Sequence, residues 1–447
     1  MAPPFDAIVI GTGPAGEVAA GKLAEGGMKV AAVERELVAG ECAYWGCMPS
    51  KTLLRPPEAL AAARRCPGAD AAVSGELDVG AVLGWRDFMV DDWDDSDHAG
   101  RLEHKGAQLL RGQAKIAGPG RVEVGGELYR GERIVIATGS AAGMPPIEGL
   151  SEIEGVWTNR EATAVKEPPG RLLILGGGPI GTEMAQAFAR MGSSVCLVEA
   201  GDRLLPGAPL EACRALSAAL EQDGVELRIG AEATAVEQHG ARLRLQFDGE
   251  TNAEGDKLLV ATGRKPRIDG LGLENVGIEP GEKGIEVDER MRAGDGIWAI
   301  GDVTGVSLLT HVGKYQARIA VRDIRGEPAG ADYSAIPAVV FTDPQVATVG
   351  DTSEKAAQVA KVEISKTARN STYYRDASER PGFLALYSDG ERLTGACAVG
   401  PEAGEWLGQA TLAIRAQVPL SVLRETIQPF PTFSELFQTA LDTIEAS

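Results

Sequence analysis

The chain has 447 residues, enough for roughly two to four domains. Its 44 basic residues face 64 acidic ones, a net charge of -20 that excludes nucleic acid and anionic membrane as partners, since both repel an acidic surface. Six cysteines are too few for a disulfide scaffold at this length, and no apolar run reaches the roughly 20 residues that span a bilayer, so a soluble, cytoplasmic protein is expected.

Residues 5–11 read as a short apolar strand. Gly11-Thr12-Gly13-Pro14-Ala15-Gly16 follows, then an alanine-rich helix to about residue 26 and a second strand, 28–33, that ends on Glu34. This is a βαβ opening of about 30 residues. In Gly-x-Gly-x-x-Gly the first glycine permits the tight turn. The second lets the backbone approach a pyrophosphate, and the third packs helix on strand. The helix N-terminus then faces the phosphate charge. A carboxylate at Glu34 can accept from ribose hydroxyls. Gly11, Gly13, Gly16 and Glu34 are therefore assigned to a dinucleotide.

Cys42 and Cys47 follow at once, in Gly40-Glu41-Cys42-Ala43-Tyr44-Trp45-Gly46-Cys47-Met48-Pro49-Ser50-Lys51. Two thiols close enough to bridge, beside a flavin, make a relay that turns hydride into dithiol. The spacing alone also fits half of a metal site, or two unrelated core cysteines. Its place after a dinucleotide motif argues against both, and no metal is expected. Cys66, Cys196, Cys213 and Cys397 read as small buried apolar residues. Asp87, Asp91, Asp92, Asp94, Asp95 and Asp97 read as an exposed acidic segment on or beside a helix, with recognition of a basic partner as the alternative.

Ala137-Thr138-Gly139 follows an apolar strand pattern, and small residues there let a strand end pass close to a nucleotide. The dinucleotide design then returns. Strand 171–175 leads into Gly176-Gly177-Gly178-Pro179-Ile180-Gly181, a helix to about residue 191, and strand 194–198 ending on Glu199. Glu199 welcomes a ribose 2′-hydroxyl and repels a 2′-phosphate, while Arg203 softens that preference, so NAD(H) is favoured over NADP(H). Ala261-Thr262-Gly263 repeats the small-residue strand end. Asp302, after strand 296–301, can accept from ribityl hydroxyls and can equally cap the helix that follows. From about residue 335 the pattern changes to strands 341–347 and 382–387 and helices 401–416 and 435–445, an α+β domain.

Taken in order, these motifs resemble the class I pyridine nucleotide-disulfide oxidoreductases, the family of dihydrolipoamide dehydrogenase, glutathione reductase and mercuric reductase. The resemblance covers nearly the whole chain. It implies an α/β fold with two Rossmann-like dinucleotide-binding domains and a C-terminal α+β dimerisation domain, in a homodimer. The implied segments are 1–149 (FAD, with the redox cysteines), 150–268 (NAD(P)), 269–334 (FAD, return) and 335–447 (dimerisation). It further implies that NAD(P)H reduces FAD and that electrons pass to a Cys42–Cys47 disulfide. Cys47 is then the flavin-proximal thiol and Cys42 the interchange thiol. Lys51 lies near the flavin, and Glu183 pairs with it. Ala114, Thr138, Gly139, Asp302 and Thr310 join the FAD site, with His311 packed at its isoalloxazine end. Gly176, Gly178, Gly181, Glu199 and Gly263 hold NAD. A thiolate beside a helix N-terminus and an oxidised flavin is stabilised, which makes the scheme physically sound.

The C-terminal signature departs from the family. The family's His-x-His-Pro-Thr-x-Ser-Glu carries the acid/base histidine that reaches the other subunit. Here the segment reads Gln428-Pro429-Phe430-Pro431-Thr432-Phe433-Ser434-Glu435. Phe430 occupies the catalytic position and cannot move a proton, a function worth ~10² to 10⁴ in rate. Glu435 is a candidate base. The histidines, His98, His104, His239 and His311, all lie outside the C-terminal domain. Tyr44 and Trp45 between the cysteines read either as compensating packing, or as a platform for a planar acceptor or a shield against small thiols. No C-terminal cysteine pair is present, which disfavours a mercuric reductase. The expected activity is transfer from NADH to a small-molecule or protein-bound disulfide of lipoamide type. A diaphorase-like reductase of quinones is the first alternative, and a redox-responsive, partner-binding flavoprotein the second.

Overall fold

The computed structural model describes residues 4–249, 251–353, 356–373 and 381–444. The chain divides into two compact units. The first comprises Met1–Pro49, Trp85–Gly143 and Arg264–Asp332; the second comprises Ser50–Gly84, Met144–Gly263 and Tyr333–Ser447. Residues 150–263 and 335–447 thus share one unit, with 264–268 in the other, and each of the two segments builds a sheet of its own.

In the first unit the strand Phe5–Ile10 pairs in parallel with Val30–Glu34 on one side and Glu127–Ile136 on the other. Gln108–Arg111 extends the sheet beyond Val30–Glu34, and Ile297–Ala299 extends it beyond Glu127–Ile136. Helix Pro14–Glu25 begins with proline in its first turn, where a missing N–H costs nothing, and buries Ala15, Gly16, Ala19, Ala20 and Leu23. Small residues on that face let the helix lie close on the sheet. The other sheet face is filled by Ile8, Ile10, Val33, Ile116, Ile134 and Ile136.

In the second unit a parallel sheet runs Glu226–Ile229, Ser194–Glu199, Arg171–Leu175, Lys257–Val260, Val156–Trp157. Central parallel strands are covered on both faces, which is why 171–175 reads as an unbroken apolar run. Helix Pro179–Arg190 follows the second glycine turn. A five-stranded antiparallel sheet, Pro337–Val340, Gln345–Gly350, Leu393–Gly400, Phe383–Ser388 and Gln358–Glu363, packs on Trp406, Phe433, Leu436 and Phe437. The chain is therefore α/β with two dinucleotide-type sheets and an α+β C-terminal part.

Three expectations are corrected. Residues 341–344 are not strand. Pro344 has no N–H to give a ladder, and Asp343 is drawn instead into contacts with Arg65 and Arg190, each at 2.8 Å. Helix 401–416 is two helices, Ala403–Trp406 and Gly408–Arg415; Trp406 turns inward, its indole N–H donating to Pro401 O at 2.8 Å. Residue 445, the expected end of the last helix, lies outside the described residues; helix Glu435–Leu441 is described.

The acidic segment is only partly an exposed face. Asp91 and Asp92 are exposed, but Asp87 pairs with the fully buried Arg86 at 2.8 Å. Asp95 accepts a forked pair from Arg111 (2.6 and 2.9 Å) and the Val38 N–H (2.6 Å), just before the redox cysteines. Burial alone would raise the Asp95 carboxyl. The Arg111 fork and the Val38 N–H outweigh it and hold Asp95 below the usual carboxylate range. A carboxyl depressed by folding stabilises above its unfolded pKa and loses that contribution as pH falls through the folded value. Asp95→Asn is expected to cost about 1–2 kcal/mol at pH 7. In urea unfolding, the gap from wild type closes below about pH 4.

Candidate active site

The first glycine turn is fixed by close backbone approach. Gly11 has φ +93°, and a side chain on it would meet Ala137 O at 2.5 Å. One on Gly16 would meet Gly11 O at 1.8 Å. Gly13 is different: nothing lies within 4 Å of the position its Cβ would take. The protein itself does not require glycine there. A bound group that needs that space does, and Gly13 stands at the start of helix Pro14–Glu25. Thr138 Oγ1, on the residue after Ala137, is buried without a hydrogen-bond partner among the described residues. An open cradle at a helix start and an orphaned buried hydroxyl both fit FAD.

Glu34 does more than the ribose role expected of it. Its Oε2 accepts from Thr12 N (2.9 Å) and Thr12 Oγ1 (2.7 Å), and its Oε1 from the N–H groups of Arg35 and Glu36 at 2.9 Å each. The carboxylate ties the glycine turn to the end of the neighbouring strand. Asp302 Oδ2 accepts from Ser140 Oγ at 2.6 Å, and Arg264 in turn donates to Ser140 Oγ at 2.7 Å. Ala114 is buried at the start of strand Ala114–Gly118.

Cys42 lies in the short helix Gly40–Tyr44, and Cys47 opens helix Cys47–Arg65. Gly46 makes the reversal possible. A side chain on it would sit 3.0 Å from Glu41 O and 3.4 Å from Cys42 Cα. Cys47 Sγ is 3.4 Å from Thr310 Oγ1, at the first position of helix Thr310–Ile324. The hydrogen bond to Cys47, burial and the Cys47 charge all drive the Cys42 pKa up. Thr310 and Lys314 pull it down without cancelling that rise. The raised Cys42 pKa holds the proton on Cys42, while Cys47 opens one helix and faces the start of another, positions that favour a thiolate. His311, the residue after Thr310 on that second helix, is exposed.

Tyr44 is packing, not a platform. It is buried, its hydroxyl donates to Asp94 O at 3.3 Å, and its ring meets Trp45 and His98 at centroid distances of 5.8 and 6.1 Å. Burial, then the charges of Asp95, Asp91 and Asp94, push the Tyr44 phenol up to about 12. Trp45 is half-buried beside it.

In the second unit the nucleotide geometry is repeated. Side chains on Gly176 and Gly181 would meet Ala261 O at 2.5 Å and Gly176 O at 1.9 Å, while Gly178 again has nothing within 4 Å. Glu199 accepts from Gly177 N and Gly201 N at 2.7 Å each. Gly263 adopts φ +146° with open space around it. The cradle fits NAD(H). Lys51 and Glu183 are brought together as expected, with Nζ donating to the two carboxylate oxygens at 3.0 and 2.8 Å.

Phe430 is 76% exposed. Glu435 Oε1 is buried with no partner among the described residues, so the carboxylate that would orient a histidine has nothing to orient. Sequence reasoning missed Lys314, Ser140 and Thr12. Lys314 follows Thr310 by one helical turn, a spacing readable once the helix start is placed. Ser140 and Thr12 carry no such signal, because their roles depend on chain segments distant in sequence.

Comparison with known proteins agrees with this geometry. The pyridine nucleotide-disulphide oxidoreductase family matches residues 5–321, and the dimerisation domain of that family matches residues 336–441, which indicates a homodimer. A dihydrolipoyl dehydrogenase of Thermus scotoductus is 38% identical, over 98% of this chain and 97% of that one. A mercuric reductase of Lysinibacillus sphaericus is 33% identical, over 99% of this chain and 83% of its own. Among solved structures, the Cu(II) complex of the HOCl-induced flavoprotein disulfide reductase RclA from Escherichia coli superposes with a TM-score of 0.87 at 28% identity, covering 98% of this chain and all of that one. No helix among the described residues is long and apolar enough to cross a membrane. With paired thiols at two helix starts and two glycine cradles, this chain belongs to the pyridine nucleotide-disulphide oxidoreductases, enzymes that use FAD and NAD(P)H.

Proposed function

We propose that the chain carries two electrons from NADH, by way of FAD, to a Cys42–Cys47 disulfide and on to a disulfide substrate of lipoamide type, free or protein-bound. The observation that carries this reading is the reversal at Gly46, whose Cβ would sit 3.4 Å from Cys42 Cα, just before Cys47 opens helix Cys47–Arg65 with its Sγ 3.4 Å from Thr310 Oγ1. Relatives named dihydrolipoyl dehydrogenase support the substrate class. A cytoplasmic location fits a chain with six cysteines, too few for a disulfide scaffold at this length.

FAD supplies two-electron exchange with the pyridine nucleotide, held by Gly11, Gly13, Gly16, Thr138 and Asp302. The residues of the chain manage charge and protons. Two electrons break the Cys42–Cys47 bond, and one proton is taken up. Cys47 holds the negative charge at its helix start and Cys42 holds the proton. Cys42 must then lose that proton to attack a substrate sulfur. A substrate disulfide accepts the two electrons and, with two protons, leaves as a dithiol while the Cys42–Cys47 bond re-forms. Phe430 offers no base for the proton of Cys42, whose pKa is already raised.

A second reading follows from that same residue. An acceptor that takes electrons without a proton moved at position 430, such as a quinone, is not handicapped by Phe430. Cu(II), the ion complexed by RclA, belongs in the same acceptor panel.

Cys42→Ser separates the two readings. Lipoamide reduction by NADH is expected to fall more than about 100-fold, with quinone reduction kept. Full retention of lipoamide turnover would end the disulfide proposal. Because the reactive form of Cys42 is the thiolate and its pKa is raised, lipoamide turnover is expected to climb through pH 9 rather than level off near neutrality. Phe430→His puts a histidine back at the family's acid/base position, five residues before Glu435. Its lipoamide kcat/KM at pH 7.5 is expected to rise about 10- to 100-fold.

A further inference from the structure

We infer that Phe341 is a positioning residue for the Lys51–Glu183 ion pair. Glu183 Oε1 accepts from Lys51 Nζ at 3.0 Å and from the Phe341 N–H at 2.9 Å; Oε2 accepts from Lys51 Nζ at 2.8 Å. The Lys51 ammonium also lies 4.7 Å from the centre of the Phe341 ring. One residue thus holds both partners. Its main chain fixes the carboxylate, and its ring face fixes the ammonium.

The lysine needs such fixing. Its charge sits on a flexible four-carbon stem, and its side chain is 35% exposed against 5% for Glu183. Packing alone does not explain an aromatic residue at 341, because the ring is 40% exposed.

Phe341 is itself held from behind. Asp343 N donates to Gln186 Oε1 at 2.7 Å, and Gln186 Nε2 donates to Asp343 O at 2.9 Å. Arg190 and Arg65 each reach Asp343 Oδ2 at 2.8 Å. Glu183, Gln186 and Arg190 share one face of helix Pro179–Arg190, and Arg65 ends the helix that carries Lys51. The short segment 341–343 is therefore locked to both helices, and Phe341 passes that rigidity to the ion pair.

The consequence for FAD rests on the proposed placement of Lys51 beside it. A fixed cation there favours the reduced, more negative cofactor, so loosening Lys51 lowers the reduced fraction. The test uses holoenzyme equilibrated anaerobically at a fixed NADH/NAD ratio, with reduced FAD read by absorbance. Phe341→Leu is expected to shift the reduced-to-oxidised ratio about fivefold toward oxidised, the effect of losing one partly desolvated cation–π contact. Lys51→Met shifts it the same way, and Phe341→Tyr, which keeps the ring, restores it to within about twofold of wild type. Phe341→Met, which fills similar volume without a ring face, gives the same readout if the leucine variant loses FAD. An unchanged ratio in Phe341→Leu beside a shift in Lys51→Met overturns the inference alone. Unchanged ratios in both overturn the placement of Lys51 beside FAD, and this inference with it.

Discussion

Both cofactor cradles depend on one contact, a glycine Cα set almost against a carbonyl oxygen where strand turns into helix. A side chain on Gly16 would fall 1.8 Å from Gly11 O, and one on Gly181 would fall 1.9 Å from Gly176 O. Any larger residue would lever the helix off its strand. With the helix start held down, Gly13 and Gly178 face open space, and the free N–H groups of the first turn are available to phosphate. Glu34 and Glu199 then fasten the middle of each turn to the end of the next strand.

The redox loop hangs from the first of these turns. Ala39 N donates to Thr12 O at 2.9 Å, and a side chain on Gly40 would sit 3.0 Å from Gly13 Cα. Val38 is tied to Asp95, and Glu41 is paired with Arg267 at 3.0 Å. The thiols are thus placed by the same backbone that shapes the cradle. An acidic stretch that reads as surface supplies part of that scaffold through Asp95, and Tyr44 closes a small core with Val90 over it. The polar cost of burying Asp95 is offset by the Arg111 fork, so the segment serves the fold more than any partner.

Electrons and protons are treated differently in this chain. Everything that steadies a negative charge on Cys47 is present: its own helix start, the Thr310 hydroxyl and the neighbouring Cys42 thiol. What would remove the remaining proton is absent from position 430, and Glu435 keeps an unpaired oxygen as a consequence. In the proposed function, electron entry at this site is supported by the groups around Cys47, while release to sulfur lacks a base at position 430. That asymmetry bears on the acceptor rather than on the electron entry.

The sequence by itself determined the two βαβ units, the close spacing of Cys42 and Cys47, the Lys51–Glu183 pair and a phenylalanine at position 430. Each is local in spacing, or is a residue type that nothing else can replace. Only the tertiary structure decided the rest. Phe341 as the seat of the ion pair, Asp343 as a hub instead of a strand residue, Ser140 behind Asp302, and Asp95 as a brace for the redox loop all join segments far apart in the chain. Their side chains have ordinary solvent-facing uses. Folding alone brings their partners within hydrogen-bond range, and no period or spacing records that distance.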